Sequence, residues 1–202
     1  MSALVLAGGY SRRMGQDKAL LQLLHKPAWQ WVVEQLDAVA SDVWLVRRPD
    51  QQPLAYERIL FDLHPGEGPL AGMEIGLSRI DSQIAFVTGV DTPLLRTAFV
   101  QLLYRELETE SAYMAVIPEY QGRLYPLLGM YKQSVQPIIA QLLEAGKRRV
   151  LDLIENVPVK ICKPEQWQVY DPLAQSFLMM NTQEQVKVIV HLMKEGGASC
   201  EA

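Results

Sequence analysis

Residues 3–18, Ala3-Leu4-Val5-Leu6-Ala7-Gly8-Gly9-Tyr10-Ser11-Arg12-Arg13-Met14-Gly15-Gln16-Asp17-Lys18, decide how the chain is read. Ala3 to Leu6 form a short apolar run of strand length. After it comes a small-residue loop with three cations, Arg12, Arg13 and Lys18. Glycines at 8 and 9 allow a sharp turn and a close approach of backbone to a bulky anion, and the cations supply charged donors to the same stretch. Strand followed by glycine-rich basic loop is therefore read as a phosphate cradle. Two common cradles are excluded by spacing. A Walker loop needs Gly-Lys-Ser/Thr, whereas Gly15 is followed by Gln16, Asp17 and Lys18; a dinucleotide fingerprint needs Gly-x-Gly-x-x-Gly, which Gly8-Gly9 does not supply.

The pattern that remains, Leu-Ala-Gly-Gly-x-Ser-x-Arg-Met-Gly-x-Asp-Lys from Leu6 to Lys18, resembles the signature of nucleotidyltransferases that move a nucleoside monophosphate from an NTP to a phosphate acceptor. Further segments fall in the order seen in the molybdenum cofactor guanylyltransferases, the MobA family. These are Asp62 followed by Gly68-Pro69-Leu70-Ala71-Gly72, Asp91-Thr92-Pro93 after an apolar strand, and Asn181-Thr182 near the end. The resemblance runs over roughly residues 3 to 190. Gly9, where cytidylyl-transferring relatives often carry alanine, and the Gly68 to Gly72 segment favour the guanylyl branch. Two positions depart from the family pattern: Arg47 stands where Asn is usual, and Tyr125 where His or Gln is usual.

The resemblance implies GMP transfer from Mg·GTP to the terminal phosphate of molybdopterin, giving the guanine dinucleotide form of the molybdenum cofactor and pyrophosphate. It implies Mg²⁺ as cofactor, GTP and molybdopterin as partners, and transient contacts with cofactor-synthesis proteins or molybdoenzymes. Lys18, Arg13 and Asp91 are the expected catalytic residues, and Asp91 is the expected metal ligand. Leu6, Ala7, Gly8, Gly9, Lys18, Asp62, Gly68 and Asp91 are expected to bind the nucleotide, and Arg148 and Asn181 the acceptor. The Asp62 carboxylate is suited to accept from N1–H and the amino group of guanine, a donor pair that adenine lacks.

Plainer roles stand beside these. Asp62 also fits a surface turn, Lys147-Arg148-Arg149 a solvated basic run, and Asn181 a cap for the last helix. CMP transfer to molybdopterin, nucleotidyl transfer to a sugar phosphate, and a non-catalytic cofactor carrier remain as alternatives; the carrier has the least need of both Lys18 and Asp91. Tyr120, Tyr125 and Tyr131 are candidate walls of a pterin pocket.

Length and composition point the same way. At 202 residues, 49% of them hydrophobic, the chain can bury a substantial core, and its net charge of −4 disfavours a nucleic-acid or anionic-membrane surface. With no signal segment and no apolar run of spanning length, a cytoplasmic location is expected. Cys162 and Cys200 lack metal-ligand spacing, as do His25, His64 and His191.

Short apolar runs alternate with amphipathic stretches, which predicts a three-layer Rossmann-like α/β fold, a mostly parallel sheet with helices on both faces. Residues 1–195 are expected to form one nucleotidyltransferase domain and 196–202 a flexible tail. Strands are expected at 3–6, 43–46, 58–61, 84–87, 113–117, 124–131 and 159–161. Helices are expected from Pro27, over Met73 to Arg79, around Phe99 to Leu107, over Val135 to Ala145, over Arg149 to Glu155, and over Gln183 to Lys194. In such a sheet the loops after strands one, three and four share one edge, which would bring the cradle, Asp62 and Asp91 together.

Overall fold

The computed structural model describes residues 1–9, 15–62 and 68–198; Arg12, Arg13, His64 and Cys200 lie outside them. Ten strands are described: β1 (Ser2–Leu6), β2 (Gln22–Leu23), β3 (Lys26–Pro27), β4 (Asp42–Arg47), β5 (Ile59–Phe61), β6 (Ile84–Gly89), β7 (Ala115–Tyr120), β8 (Arg123–Leu124), β9 (Leu128–Lys132) and β10 (Val159–Cys162). The helices are α1 (Ala28–Asp37), α2 (Pro69–Leu77), α3 (Thr97–Glu108), α4 (Gln136–Glu144), α5 (Val150–Ile154), α6 (Pro164–Trp167) and α7 (Gln183–Ala198).

Strand order in the eight-stranded sheet is β10-β7-β9-β6-β1-β4-β5, with β8 attached to β7. β9 alone in that row runs against its neighbours β6 and β7; the pairs β1–β4, β1–β6, β4–β5 and β7–β10 are parallel. Parallel pairs need long crossovers; helices supply them for every pair but β4–β5, which is joined by irregular chain over 48–58, and helices cover both faces. The two-residue side-chain period then sorts each strand between two cores. Ala3, Val5, Phe86 and Val116 pack with α1 and α3 on one face. Leu4, Ala85, Val87, Ala115 and Ile117 pack with α2, α4 and α5 on the other. Full burial of each Leu, Val or Phe contributes about 1.5–3 kcal/mol, so both layers are held chiefly by these alternating positions.

A third, smaller cluster joins Leu23 and Ala28 to Met180, Val186 and Ile189, and so docks α7 beside the β2–β3 hairpin. Among the described residues no helix is long and apolar enough to cross a membrane.

Several boundaries differ from the sequence expectation for local reasons. α2 begins at Pro69 instead of Met73, because the fixed φ of proline suits a first helical position and Gly68, at φ +83°, makes the preceding turn. The strand expected over 124–131 is two, broken at Tyr125-Pro126, where proline cannot donate to a ladder. Gln121 (φ +51°) and Gly122 (φ +71°) turn the chain between β7 and β8. α1 stops at Asp37, so Val39 and Ala40 pack from a turn. α7 continues past Lys194 to Ala198, so helical backbone crosses the boundary expected at residue 195.

Candidate functional site

Because β1, β4, β5 and β6 run the same way, the residues just beyond them meet at one sheet edge. There they enclose a cleft of about 430 Å³. Leu6, Ala7, Gly8, Gly9, Lys18, Asp62, Gly68 and Asp91, all the residues expected to bind the nucleotide, line it. Asp17, Val46, Gly72, Gly89 and Leu127 line it as well.

Lys18 opens a short 3₁₀ turn, Lys18–Leu20, capped by the Asp17 carboxylate, whose Oδ1 accepts the Ala19 N–H at 3.0 Å. Its Nζ donates to Asp91 Oδ2 at 2.8 Å and to Asn181 Oδ1 at 2.8 Å. Two side chains, 73 and 163 positions from Lys18 in sequence, thus converge on its ammonium group. Asp91 reaches it from the turn after β6, where the Thr92 hydroxyl donates to the Gly89 carbonyl at 3.1 Å. A Cβ at Gly89 would stand 2.4 Å from Asp91 Oδ1, so the carboxylate occupies space that only glycine leaves open.

Asn181 is released for this contact because Thr182 does the capping. The Thr182 hydroxyl accepts the Gln185 N–H at 3.2 Å, and Gln185 Oε1 accepts the N–H groups of Asn181 and Thr182, both at 3.0 Å.

The glycines act differently from the sequence expectation. Neither Gly8 nor Gly9 has a left-handed φ, and a Cβ at Gly9 would meet nothing within 4 Å. Gly9 contributes free space on the cleft wall, whereas a Cβ at Gly8 would face the Arg48 side chain at 3.5 Å. Gly68 has the left-handed backbone, and its Cβ position lies 2.9 Å from the Arg148 carbonyl oxygen. Gly72 belongs to α2, where a Cβ would press on Leu6 at 3.3 Å, so it permits close helix–sheet packing.

Arg148 is placed behind Gly68. Its Nη1 donates to the carbonyls of Leu143 (2.7 Å) and Lys147 (2.8 Å), satisfying the C-terminal end of α4. Arg149 caps α5 and pairs with Asp152 at 2.8 Å. Asp62 lies just beyond β5, with its backbone N–H on the Arg47 carbonyl at 2.7 Å.

The tyrosines do not form one wall. Tyr131 is fully buried with its hydroxyl donating to the Pro126 carbonyl at 2.6 Å, which corrects its expected place in a pocket. Tyr120 and Tyr125 pack on Phe177, and Tyr120 also on Trp167.

Sequence reasoning assigned no part to Asp17, Arg47 or Gln51. Arg47 is only 2% exposed, and its Nη2 donates to Asp17 Oδ2 at 2.8 Å. Burial pulls its guanidinium below the ordinary range, and the Asp17 charge offsets part of that. A charged residue closing the apolar run Val43-Trp44-Leu45-Val46 was the available signal, since arginine is seldom buried unless paired. Among the described residues no group of three or more His, Cys, Asp or Glu gathers as a metal cage.

A family model, the MobA-like NTP transferase domain, matches residues 3–159. A Carboxydothermus hydrogenoformans protein named "Probable molybdenum cofactor guanylyltransferase" is 34% identical over 166 residues, 82% of this chain and 83% of its own length. A Methanosarcina mazei protein of the same name is 32% identical over 208 residues, covering 96% and 92%. Molybdopterin-guanine dinucleotide biosynthesis protein A from Archaeoglobus fulgidus superposes with a TM-score of 0.85 at 27% identity, over 96% of this chain and 100% of that one. The 2-C-methyl-D-erythritol 4-phosphate cytidylyltransferase of Thermus thermophilus, 16% identical with a TM-score of 0.68 over 95% and 98%, shares the fold alone. A cleft at the strand ends lined by Leu6 to Gly9, Asp17 and Lys18, within a chain matched this extensively, places the protein in the MobA-like NTP transferase family.

Proposed function

We propose that the protein transfers GMP from GTP to the terminal phosphate of molybdopterin. An acceptor phosphate oxygen attacks the α-phosphorus, the bond from that phosphorus to the bridging oxygen breaks, and pyrophosphate leaves; no protein nucleophile is required. The observation that carries the reading is the meeting of Lys18 with Asp91 in a cleft that Asp62 also lines, with Asn181 bonded to the same ammonium group.

Both reactants are anionic, so the chain must offset charge and hold them in line. Lys18 supplies a cation from the loop, with Arg13 assigned the same task from the family resemblance. Gly9 leaves the cleft wall open to phosphate. Asp62 is assigned to the guanine edge, and Asn181 and Arg148 to the acceptor side.

The donor set fits Mg²⁺, which binds through one or two carboxylates and completes its shell with phosphate oxygens and water. Asp91 would hold it, with the Asn181 amide oxygen close by on the shared Lys18 contact. When bound, such a cation neutralises triphosphate charge. Contacts with cofactor-synthesis proteins or molybdoenzymes belong to the same reading, since the product must be passed on.

The test is pyrophosphate release from each of GTP, ATP, CTP and UTP with molybdopterin as acceptor, for the wild type and Asp91→Asn. GTP should be preferred, and the variant should keep GTP binding while losing most turnover and needing more Mg²⁺. Preference for CTP would move the protein to cytidylyl transfer. Normal rate and Mg²⁺ dependence in Asp91→Asn would remove the metal assignment.

A further inference from the structure

The loop from Ala7 to Lys18 is pinned at both ends by the segment that leaves β4. Gln51 Nε2 donates to the Ala7 carbonyl at 3.0 Å and to Asp17 Oδ2 at 3.0 Å, so one amide joins the start of the loop to its end. Arg48 Nη1 donates to the Gly8 carbonyl at 2.7 Å, and Gln51 Oε1 accepts the Arg48 N–H at 2.8 Å. Beneath them lies Arg47, bonded through Nη2 to Asp17, while its Nη1 is buried without a hydrogen-bond partner among the described residues. A buried guanidinium that leaves one N–H unpaired is expensive, and here its hydrogen bond goes to a residue of the cleft.

Asp17 gathers three donors. Oδ2 takes those of Arg47 and Gln51, and Oδ1 takes the Ala19 N–H that caps the turn carrying Lys18. The place of the Lys18 backbone is therefore set by Asp17, and that of Asp17 by the 47–51 segment. Lys18 has a long flexible stem, and its Nζ meets Asp91 and Asn181, both at 2.8 Å, only if its base is held still.

We infer that Arg47 is a positioning residue for the transfer step: by holding Asp17 it fixes the turn that presents Lys18 to the cleft. The inference rests on the phosphate-transfer reading of that cleft. It differs from a merely structural role for a buried ion pair, because its effect on rate must pass through Lys18.

The experiment combines kinetics with hydrogen exchange at the Ala19 amide, followed by NMR. Arg47→Gln should lower kcat by about 10- to 100-fold, the scale of a small misplacement of a reacting group, with KM for GTP changed less than about threefold. Ala19 exchange should quicken by about tenfold or more. Arg47→Lys, which keeps the cation, should recover most of both. In a Lys18→Met background, Arg47→Gln should change the residual kcat less than about twofold. Should Arg47→Gln not fold, Gln51→Ala removes the other side-chain donor to Asp17 and should show the same pattern more weakly. Undiminished kcat, unchanged Ala19 exchange, or an equal loss of kcat without Lys18 would overturn the inference while leaving an active wild type intact. A wild type without transfer activity would overturn the functional reading itself.

Discussion

Gly89→Ala tests the placement of Asp91 without removing or adding any charge. Gly89 ends β6, paired with Leu6 of β1, and its φ is outside the left-handed region, so alanine fits the backbone. The added Cβ would lie 2.4 Å from Asp91 Oδ1, inside the 3.0 Å that such carbons keep from other heavy atoms. The carboxylate must then retreat by at least about 0.6 Å. Asp91 is partly exposed, so it can turn aside instead of forcing the strands apart. Turning aside stretches the 2.8 Å contact with Lys18. A misplacement of about 1 Å can cost on the order of a hundredfold in rate, so a shift of this size should cost about tenfold or more. Stability should move little, since a Gly→Ala change at a tolerant φ gains about 0.4–1 kcal/mol from the unfolded chain, against the local crowding. The assay is pyrophosphate release at saturating GTP over a Mg²⁺ titration, beside a thermal melt. A variant that melts like the wild type and keeps kcat and Mg²⁺ dependence within twofold would refute the idea that Asp91 is held in a reactive position.

Lys18→Ala should lower turnover by about a hundredfold to a thousandfold, as loss of one electrostatic donor does, with the far-ultraviolet spectrum unchanged; wild-type turnover would remove the phosphate role. Asp62→Asn should weaken the preference for GTP more than general triphosphate binding, read by competition with ATP and CTP; an unchanged order of competition returns Asp62 to a surface turn. Asp42 gives a pH signature. Burial alone would raise its carboxyl pKa, but hydrogen bonds from Ser2, Ser41 and Trp44 outweigh that and hold it below 3.8. A depressed carboxyl stabilises the fold above its unfolded pKa and loses that contribution as pH falls through the folded value. Asp42→Asn should therefore melt lower than the wild type at pH 7, and the gap should narrow below about pH 3.8; a gap independent of pH would contradict the charge argument.

Much of the fold could be read from the chain because the signals are local. The run Ala3 to Leu6 is β1, the helix after Pro27 is α1, and Gly146, at φ +77°, stands just beyond α4 as a C-terminal glycine should. Where elements were misplaced, a proline or a turn residue outweighed hydrophobic periodicity, as at Pro69 and at Tyr125-Pro126. The motif loop was equally legible, since its residues are contiguous in sequence, and Leu6 to Gly9, Asp17 and Lys18 line the cleft once the sheet is parallel. Asp17 lay in the same motif without an assigned role, because nothing local says which side chain will face it.

The amino-acid sequence by itself determined most of the sheet strands and longer helices, though not the β2–β3 hairpin, α6 or the break between β8 and β9; it also carried the family resemblance and the candidates Lys18, Asp62 and Asp91, because periodicity, turn chemistry and contiguous motifs act over a few residues. Only the tertiary structure decided what each candidate touches. It brought Asn181 to Lys18 by docking α7 beside the β2–β3 hairpin, and gave the helix cap to Thr182. It set Arg148 behind Gly68 on the α4 terminus, removed Tyr131 to the core, and buried Arg47 under Asp17. The physical reason is that hydrogen bonds and ion pairs are formed by proximity in space, and the side chains that meet at Asp17 and Lys18 stand 30 to 163 residues apart, beyond the reach of any pattern confined to neighbours along the chain.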